Sequence, residues 1–432
     1  MEGMVNTIEA DYLILGGGLS GIGAAHGLKK NNFILIEKSK RLLGHAKSFK
    51  FKDYYFDSGT HICHSIDKKW LDKLNLEDAL YFDNSDVKNY DESNWIGYPV
   101  QNNLKDIDDS LKIKSYEEID KNLKSKISAN NYHEWSNQVY GETLTKKYYE
   151  RFTNKYWRTP MKEMSLDWFN GRILPIKKKL VKEGMKRKPK NQAVFKAFRY
   201  PKNLGFENLF SNLIKDIKEK CKLNTEVISI DVKKKVAYTK CGLSIKYKKL
   251  INTLPLNVIV NLITSIPEEV KDTAKNLKYL NLITSAVLIK DFIGDKFPHW
   301  FYVYDEDIPI ARITNISRIT NTNNKDAAFQ LETFRRNDEE YCIEKLIEKI
   351  QKDSYKIFNC EKKKCEFKHQ YSEYSYVVSC LNTEDDRTMI INYLNSINVS
   401  TCGLYGLWKY MWSDASFWSG FETGELISNE KI

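Results

Sequence analysis

The stretch at residues 11–37, DYLILGGGLSGIGAAHGLKKNNFILIE, decides the fold of this chain. The apolar run from Tyr12 to Leu15 reads as a buried strand that passes directly into Gly16, Gly17 and Gly18, then Gly21. Ile22 to Leu28 follows as a helix of small residues, and a second apolar run, Phe33 to Ile36, ends in Glu37 and Lys38. Strand, glycine turn, helix, strand and acid in that order are what a dinucleotide-binding unit requires. Gly16 permits the tight turn, Gly18 lets the backbone approach a pyrophosphate, and Gly21 lets helix and strand pack closely. The bare helix N-terminus then offers N–H groups and a positive dipole end to the phosphates. Glu37 stands where a carboxylate can accept hydrogen bonds from both hydroxyls of an adenosine ribose.

With 432 residues the chain is too long for one simple core, so two or three interleaved domains are expected. Hydrophobic content of 42% with 13% aromatics describes a globular protein, and the longest apolar runs fall far short of the ~20 residues a membrane span needs. The start, MEGMVNTIEA, has neither a basic nor an apolar leader region, so no secretory signal is expected and the cytoplasm is the expected location. Eight cysteines are scattered without a CxxC pair, and Cys360 and Cys365 have no second pair to complete a zinc site. Reduced thiols follow. The net charge of +11 is spread through the chain, with one cluster at residues 177–190, KKKLVKEGMKRKPK. That cluster reads as an exposed loop or as an electropositive wall near an anionic substrate. No recognised nucleic-acid module accompanies it, so nucleic acid is not an expected partner.

Beyond Lys38, Gly44 marks a turn and the alternation from Phe49 to Phe56 suggests a hairpin. Asp57-Ser58-Gly59 breaks it, and Thr60-His61-Ile62-Cys63-His64 follows. Two histidines three apart lack a third ligand, so no metal site is expected; in a glycine-bounded turn they read as groups close to the cofactor. Residues 104–149 carry a helical pattern with no Rossmann feature, which suggests an inserted helical domain. Residues 204–217 read as an amphipathic helix with Phe206, Leu209, Phe210, Leu213 and Ile214 on one side. Three short strands follow, the first running through Val227, and they lead into a buried strand stopped by Pro255. A strand meander this far along suits the second half of a large flavin domain and favours FAD, because NAD domains usually complete their sheet within about 150 residues. Residues 282–393 look like a mixed α/β substrate domain. The stretch 402–420 has a turn at Gly403 and then an aromatic helix capped by Ser413 or Asp414. It either presents backbone N–H groups to a flavin ring or closes the core.

Together these segments resemble the UDP-galactopyranose mutase family, within the larger flavin amine-oxidase and protoporphyrinogen-oxidase-like superfamily. GGGLSGIGAA with Glu37 and LLGHAKS (42–48) is similar to the family's FAD-binding start, with Leu43-Gly44 in place of Gly-Gly. Gly59-Thr-His-Ile-Cys-His64 resembles the loop that faces the isoalloxazine. WIGYPVQNNL (95–104) and YERFTNKYWRTPMKEMSLDWFNGRI (149–173) resemble the fungal-type branch without a gap, as does Phe198-Arg-Tyr-Pro201 with Gly205. The resemblance implies that Trp157 is an active-site tryptophan and that Arg172 and Arg312 bind a diphosphate. It further implies that His64, Tyr374 and Tyr410 belong to the catalytic site. Two departures stand out. Leu404 occupies the place of an arginine that contacts FAD, and the segment from Tyr410 to Gly420 is about two residues short, so an active-site asparagine has no counterpart.

The expected fold is therefore α/β: a Rossmann-type FAD-binding domain (residues 1–100, 196–262 and 396–432) with an inserted helical domain (101–195) and a mixed α/β substrate domain (263–395). FAD is expected against Gly16, Gly18, Leu19, Ser20, Gly21, Glu37 and Lys38. Gly44, His45 and Ala46, then Gly59, Thr60 and His61, extend that contact, with Val227, Gly403, Ser413 and Asp414 completing it. The resemblance implies that reduced FAD, kept so by NAD(P)H or another donor, attacks the anomeric carbon of a UDP-sugar through N5 and displaces UDP. Pyranose and furanose forms then interconvert, for cell-surface polysaccharide biosynthesis. The alternatives are a flavin oxidase or dehydrogenase of the same superfamily, taking hydride at N5, and a flavin-binding protein without catalysis.

Overall fold

The computed structural model describes residues 7–29, 31–169, 172–187, 195–322 and 325–430. The basic run is thus described only as far as Arg187, and the leader reading at residues 1–6 lies outside the described residues. The strand β1 (Thr7–Leu15) is flanked by β2 (Phe33–Ile36) and by the strand Ser244–Asn252, both parallel to it. Its second half, Tyr12 to Leu15, is fully buried, as a strand covered on both faces must be. Leu15 pairs with Ile36 on one side and Asn252 on the other. Gly16, Glu37 and Thr253 therefore emerge side by side at the carboxyl edge of the sheet, where open α/β sheets bind their ligands. Val227–Asp231 and Val236–Thr239 extend the sheet beyond Ser244–Asn252, Cys221–Lys222 lies beyond β2, and Val399–Thr401 runs parallel to residues 250–252.

The helix α1 (Leu19–Leu28) lies against one face of this sheet, covered in turn by the terminal helix Ser413–Asn429. The two helices meet backbone to backbone. A Cβ on Gly23 would stand 2.0 Å from the Phe417 carbonyl oxygen, and one on Gly420 would stand 1.9 Å from that of Ser20. Only glycine at both crossings permits that approach. The terminal helix is capped by neither expected residue. It begins one position earlier, with Trp412 at the N-cap and no side-chain cap bond, while Asp414 accepts the Ala415 N–H. Ser413 is already helical, so its hydroxyl is past the capping position. The opposite face of the sheet is covered by Leu256–Leu262, Glu268–Lys275 and Thr383–Ser396. Glu268–Lys275 and Thr383–Ser396, expected in the substrate domain, thus pack on the first sheet.

The second sheet has seven strands in the order Cys365–Val377, Tyr279–Ile289, Ala327–Arg336, Arg312–Asn315, Trp300–Val303, Val87–Asp91 and Asn94–Gly97. It is antiparallel except where Trp300–Val303 runs alongside Val87–Asp91. Residues 87–97, expected with the flavin-binding part, therefore build the edge of the second sheet. Helices Asp109–Asn122, Tyr132–Tyr140 and Arg151–Tyr156 form the insertion, with a π-helical turn at Thr145–Glu150. The expected amphipathic helix at 204–217 is instead a 3-10 segment, Phe206–Phe210, followed by Ser211–Lys215. Gly205 at φ +73° and the Phe206 N–H held by Asp57 Oδ1 at 3.1 Å tighten its start, although Phe206, Leu209, Phe210 and Leu213 still face inward. No helix among the described residues is long and apolar enough to cross a membrane.

Gly420→Ala tests the helix crossing. Alanine favours the helix by about 1 kcal/mol over glycine, but its methyl would collide with the Ser20 carbonyl, and overpacking costs about 1–3 kcal/mol. The variant should unfold at lower urea than the parent. An equal or higher midpoint would mean that the helices can part freely.

Candidate active site

A single cavity of about 850 Å³ runs from the carboxyl edge of the first sheet to the second sheet and the helical insertion. At its nucleotide end Gly16 has φ +98°, and a Cβ there would lie 2.5 Å from Thr253 Oγ1. Gly21 does not line the cavity; a Cβ on it would meet the Gly16 carbonyl at 1.9 Å, so its role is packing. Above Gly18, in contrast, no atom lies within 4 Å of where a Cβ would stand. This open cradle faces the start of α1, which no side chain caps. Glu37 is oriented by two backbone donors, Gly17 N–H on Oε2 and Ser39 N–H on Oε1, each at 2.8 Å. Its remaining lone pairs face the cavity, with Lys38 and Val227 beside it. Leu43 holds φ +85°, a left-handed conformation that a glycine would adopt without cost, and its N–H reaches the Gly17 carbonyl at 2.7 Å.

The middle of the cavity is bordered by Gly44–Ala46 and by Gly59, Thr60 and His61. His61 stacks on Phe206 at 5.0 Å, and its Nδ1 is buried without a partner. Burial, with His45 and Arg312 nearby, pushes the His61 imidazole down to about 3. Burial and Lys47 push His45 down to about 4. His64 sits 4.0 Å from the Phe195 ring and 4.8 Å from Trp412, and burial lowers it too. All three rings are neutral near pH 7 and add no charge. The open cradle at Gly18, the Glu37 carboxylate in the cavity lining and the orphaned Nδ1 of His61 together fit FAD.

At the far end Arg172 lies inside an aromatic cage. Its guanidinium carbon is 3.8 Å from the Tyr410 ring centroid, 5.1 Å from Trp157, 5.5 Å from Trp412 and 5.8 Å from both Trp168 and Tyr376. Its Nη1 is buried without a hydrogen-bond partner, and no carboxylate pairs with Arg172 among the described residues. Arg312 differs. Its Nε donates to Glu332 Oε2 at 2.5 Å, and Glu332 is fully buried. The other oxygen of Glu332 accepts the Thr60 N–H, which ties the ion pair to the loop at His61. The two arginines expected at a diphosphate thus differ: Arg172 has no carboxylate partner among the described residues, and Arg312 is paired with a glutamate that pattern alone did not single out.

Tyr374 lines the cavity but does not stand beside the arginines. Its ring stacks on Tyr279 at 4.0 Å and its hydroxyl accepts from Asn257 Nδ2 at 3.1 Å. Tyr376 takes the inner place, with its hydroxyl 3.5 Å from Arg312 Nη2 and from the Tyr156 hydroxyl, and its ring stacked on Tyr410 at 5.9 Å. The cause is a bulge. Leu280 pairs with Tyr376 and Leu282 with Ser372, so Glu373 to Ser375 carry surplus length, and Tyr374 takes φ +58°. Gly403 and Asp414 lie outside the cavity lining, whereas Ser413 lies within it. The Gly403 N–H is taken by Ser419 Oγ at 3.0 Å, and Leu404 and Tyr405 face the cavity instead. Trp157, packed against Trp168 at 5.1 Å, forms part of the wall. The remaining expected site residues line this one cavity.

A family model for an NAD(P)-binding Rossmann-like domain matches residues 14–75. None of the curated proteins matches the chain. Among solved structures the chain is similar to a reduced UDP-galactopyranose mutase at 20% identity, over 97% of this chain and 94% of that one, with a TM-score of 0.88. It is also similar to a protein assigned as a protoporphyrinogen oxidase from Exiguobacterium sp. (15% identity, 99% of each chain, TM-score 0.73). A putrescine oxidase bound to putrescine matches at 12% identity over 98% of this chain and 99% of that one, with a TM-score of 0.63. The fold is the one these solved structures share, as the sequence resemblance implies.

The neutral histidines set a pH dependence. Between pH 6.5 and about 4 the unfolded chain protonates His45 and His61 while the folded chain does not. Stability therefore falls with pH there, by at most about 1.4 kcal/mol per pH unit for each ring. Asp57, pushed up to about 7 by burial, acts in the opposite sense, gaining stability as pH falls from 7. Comparison with His61→Gln removes that background: the parent should lose more stability between pH 7 and pH 5, read from urea midpoints.

Proposed function

We propose that this chain is a cytoplasmic, FAD-dependent mutase that interconverts pyranose and furanose forms of a UDP-hexose for cell-surface polysaccharide synthesis. The observation that carries this reading is Arg172: a buried, unpartnered guanidinium nitrogen, enclosed by aromatic rings, at the end of a cavity that begins at a dinucleotide cradle. A buried cation without a counter-charge is costly, and an anionic ligand that accepts from Nη1 removes that cost. A diphosphate does so bidentately. Reduced FAD, kept so by NAD(P)H or another donor, supplies the nucleophilic nitrogen for the anomeric carbon.

The chain's own part is binding, orientation and exclusion of water. Arg172 holds the leaving diphosphate, and Arg312 assists through the guanidinium edge that faces Tyr376 rather than Glu332. Trp157, Tyr376 and Tyr410 wall the sugar and limit its orientations. His61 offers its free Nδ1 to the flavin ring, and Thr60, anchored on Glu332, keeps that loop in place. No acid–base pair of the protein is needed at the sugar.

The second reading, a flavin oxidoreductase, is favoured by one observation: Glu332 cancels Arg312, leaving Arg172 as the one unpaired guanidinium beside the aromatic rings among the described residues. A less charged substrate would suit that balance. Assay separates the two. A mutase converts UDP-galactopyranose to its furanose only after reduction, with no net redox turnover, whereas an oxidase consumes oxygen with an amine or ring substrate and ignores UDP. UDP should quench tryptophan fluorescence, and no response at millimolar UDP would overturn the mutase reading.

Arg172→Ala should weaken UDP by about 2–4 kcal/mol, roughly 30- to 1,000-fold in Kd, with FAD content unchanged. Glu332→Gln should act in reverse. It leaves an acceptor for Thr60 but frees the charge of Arg312, so the apo protein should melt lower while UDP binds more tightly and raises the melting temperature by more than in the parent.

A further inference from the structure

The sulfurs of Cys360 and Cys365 lie 3.3 Å apart at the joint between the helix Ile343–Phe358 and the strand Cys365–Val377. The joint is a built turn. Asn359 adopts the left-handed conformation, φ +48°, that ends the helix, and the Cys360 N–H is held by the Tyr355 carbonyl at 3.1 Å. A 3-10 turn, Lys362–Lys364, then returns the chain, with the Lys364 N–H on the Glu361 carbonyl at 3.0 Å. Both thiols are half-buried and so within reach of a small solute, whereas Cys63 and Cys402 are buried. No other two of the eight cysteines are joined by a hydrogen bond among the described residues. The sulfurs are unequal. Either sulfur can donate the hydrogen bond between them, and Lys364 near the Cys360 sulfur favours a thiolate there.

We propose that Cys360 and Cys365 form a dithiol site for small hydroperoxides, with Cys360 as the attacking sulfur and Cys365 as the resolving one. The Cys360 thiolate attacks one peroxide oxygen, the O–O bond breaks, and an alcohol or water leaves, so Cys360 becomes a sulfenic acid. The Cys365 sulfur then attacks the Cys360 sulfur, the S–O bond breaks, and water leaves with the Cys365 proton. Two thiols have lost two electrons, the peroxide has gained them, and an external thiol reverses the disulfide. The bond staples the helix end to the strand that carries Tyr374 and Tyr376 to the cavity. The inference uses no feature of the cavity itself and stands whichever reaction that cavity performs.

The full-length reduced protein, treated with one equivalent of hydrogen peroxide, should lose two thiols and yield a linked Cys360–Cys365 peptide by mass spectrometry. Cys360 should react about tenfold or more faster than the exposed Cys342. In Cys365→Ser the reaction should stop at a sulfenic acid on Cys360, trapped by a cyclic 1,3-diketone, and in Cys360→Ser residue 365 should stay unreacted. Absence of the linked peptide, or faster reaction at Cys342, overturns the proposal. So does an unmodified Cys360 in Cys365→Ser.

Discussion

The contact on which the rest of this structure depends is the backbone-to-backbone crossing of α1 with the terminal helix. Gly23 and Gly27 on one side meet Gly420 and Gly424 on the other, each where a Cβ would stand about 2 Å from a carbonyl oxygen or close to it. That approach presses α1 onto the sheet and fixes the direction of its uncapped N-terminus over Gly18. It also returns the chain end to the cavity, so that Leu404, Tyr410 and Trp412 face residues from the first hundred positions. A nucleotide cradle made by about forty residues at one end of the chain is thus completed by thirty at the other.

Electrostatics set three neutral histidines in the middle of the cavity against a guanidinium without a carboxylate partner at its far end. Burial lowers His45, His61 and His64 and keeps them uncharged near pH 7. Arg312 is matched by Glu332, and that carboxylate also secures the Thr60 loop, so the pair serves as a brace between the second sheet and the loop beside His61. Arg172 has rings rather than carboxylates around it. Ring faces attract a guanidinium by about 0.5–2 kcal/mol each, which keeps it in place without consuming its hydrogen-bond donors. Those donors remain available to an incoming anion, and the proposed diphosphate role rests on that.

The aromatic cage also explains how segments far apart in sequence converge. Trp157 and Trp168 come from the insertion, Tyr376 from the second sheet, and Tyr410 and Trp412 from the chain end. The π-helical turn at Thr145–Glu150 directs Tyr149 into the same cavity, stacked on Tyr140 at 4.1 Å. Such turns are frequent at functional sites.

The sequence by itself determined the β1–α1–β2 unit, because glycine spacing, an apolar run and a terminal acid each act locally through backbone conformation and burial. By resemblance it also named a minority of the residues that line the cavity, Trp157, Arg172, Arg312 and Tyr410 among them. Tertiary structure alone decided what those residues are paired with. Whether Arg172 or Arg312 is left without a counter-charge depends on Glu332, twenty residues from one arginine and 160 from the other, and no local spacing records that pairing. The exchange of Tyr374 for Tyr376 follows from a bulge whose register is set by the partner strand at residues 280–282. The placing of residues 87–97 in the second sheet follows from their pairing with Trp300–Val303. Strand pairing and ion pairing are contacts between distant segments, and burial, which only the folded chain creates, gives them their strength.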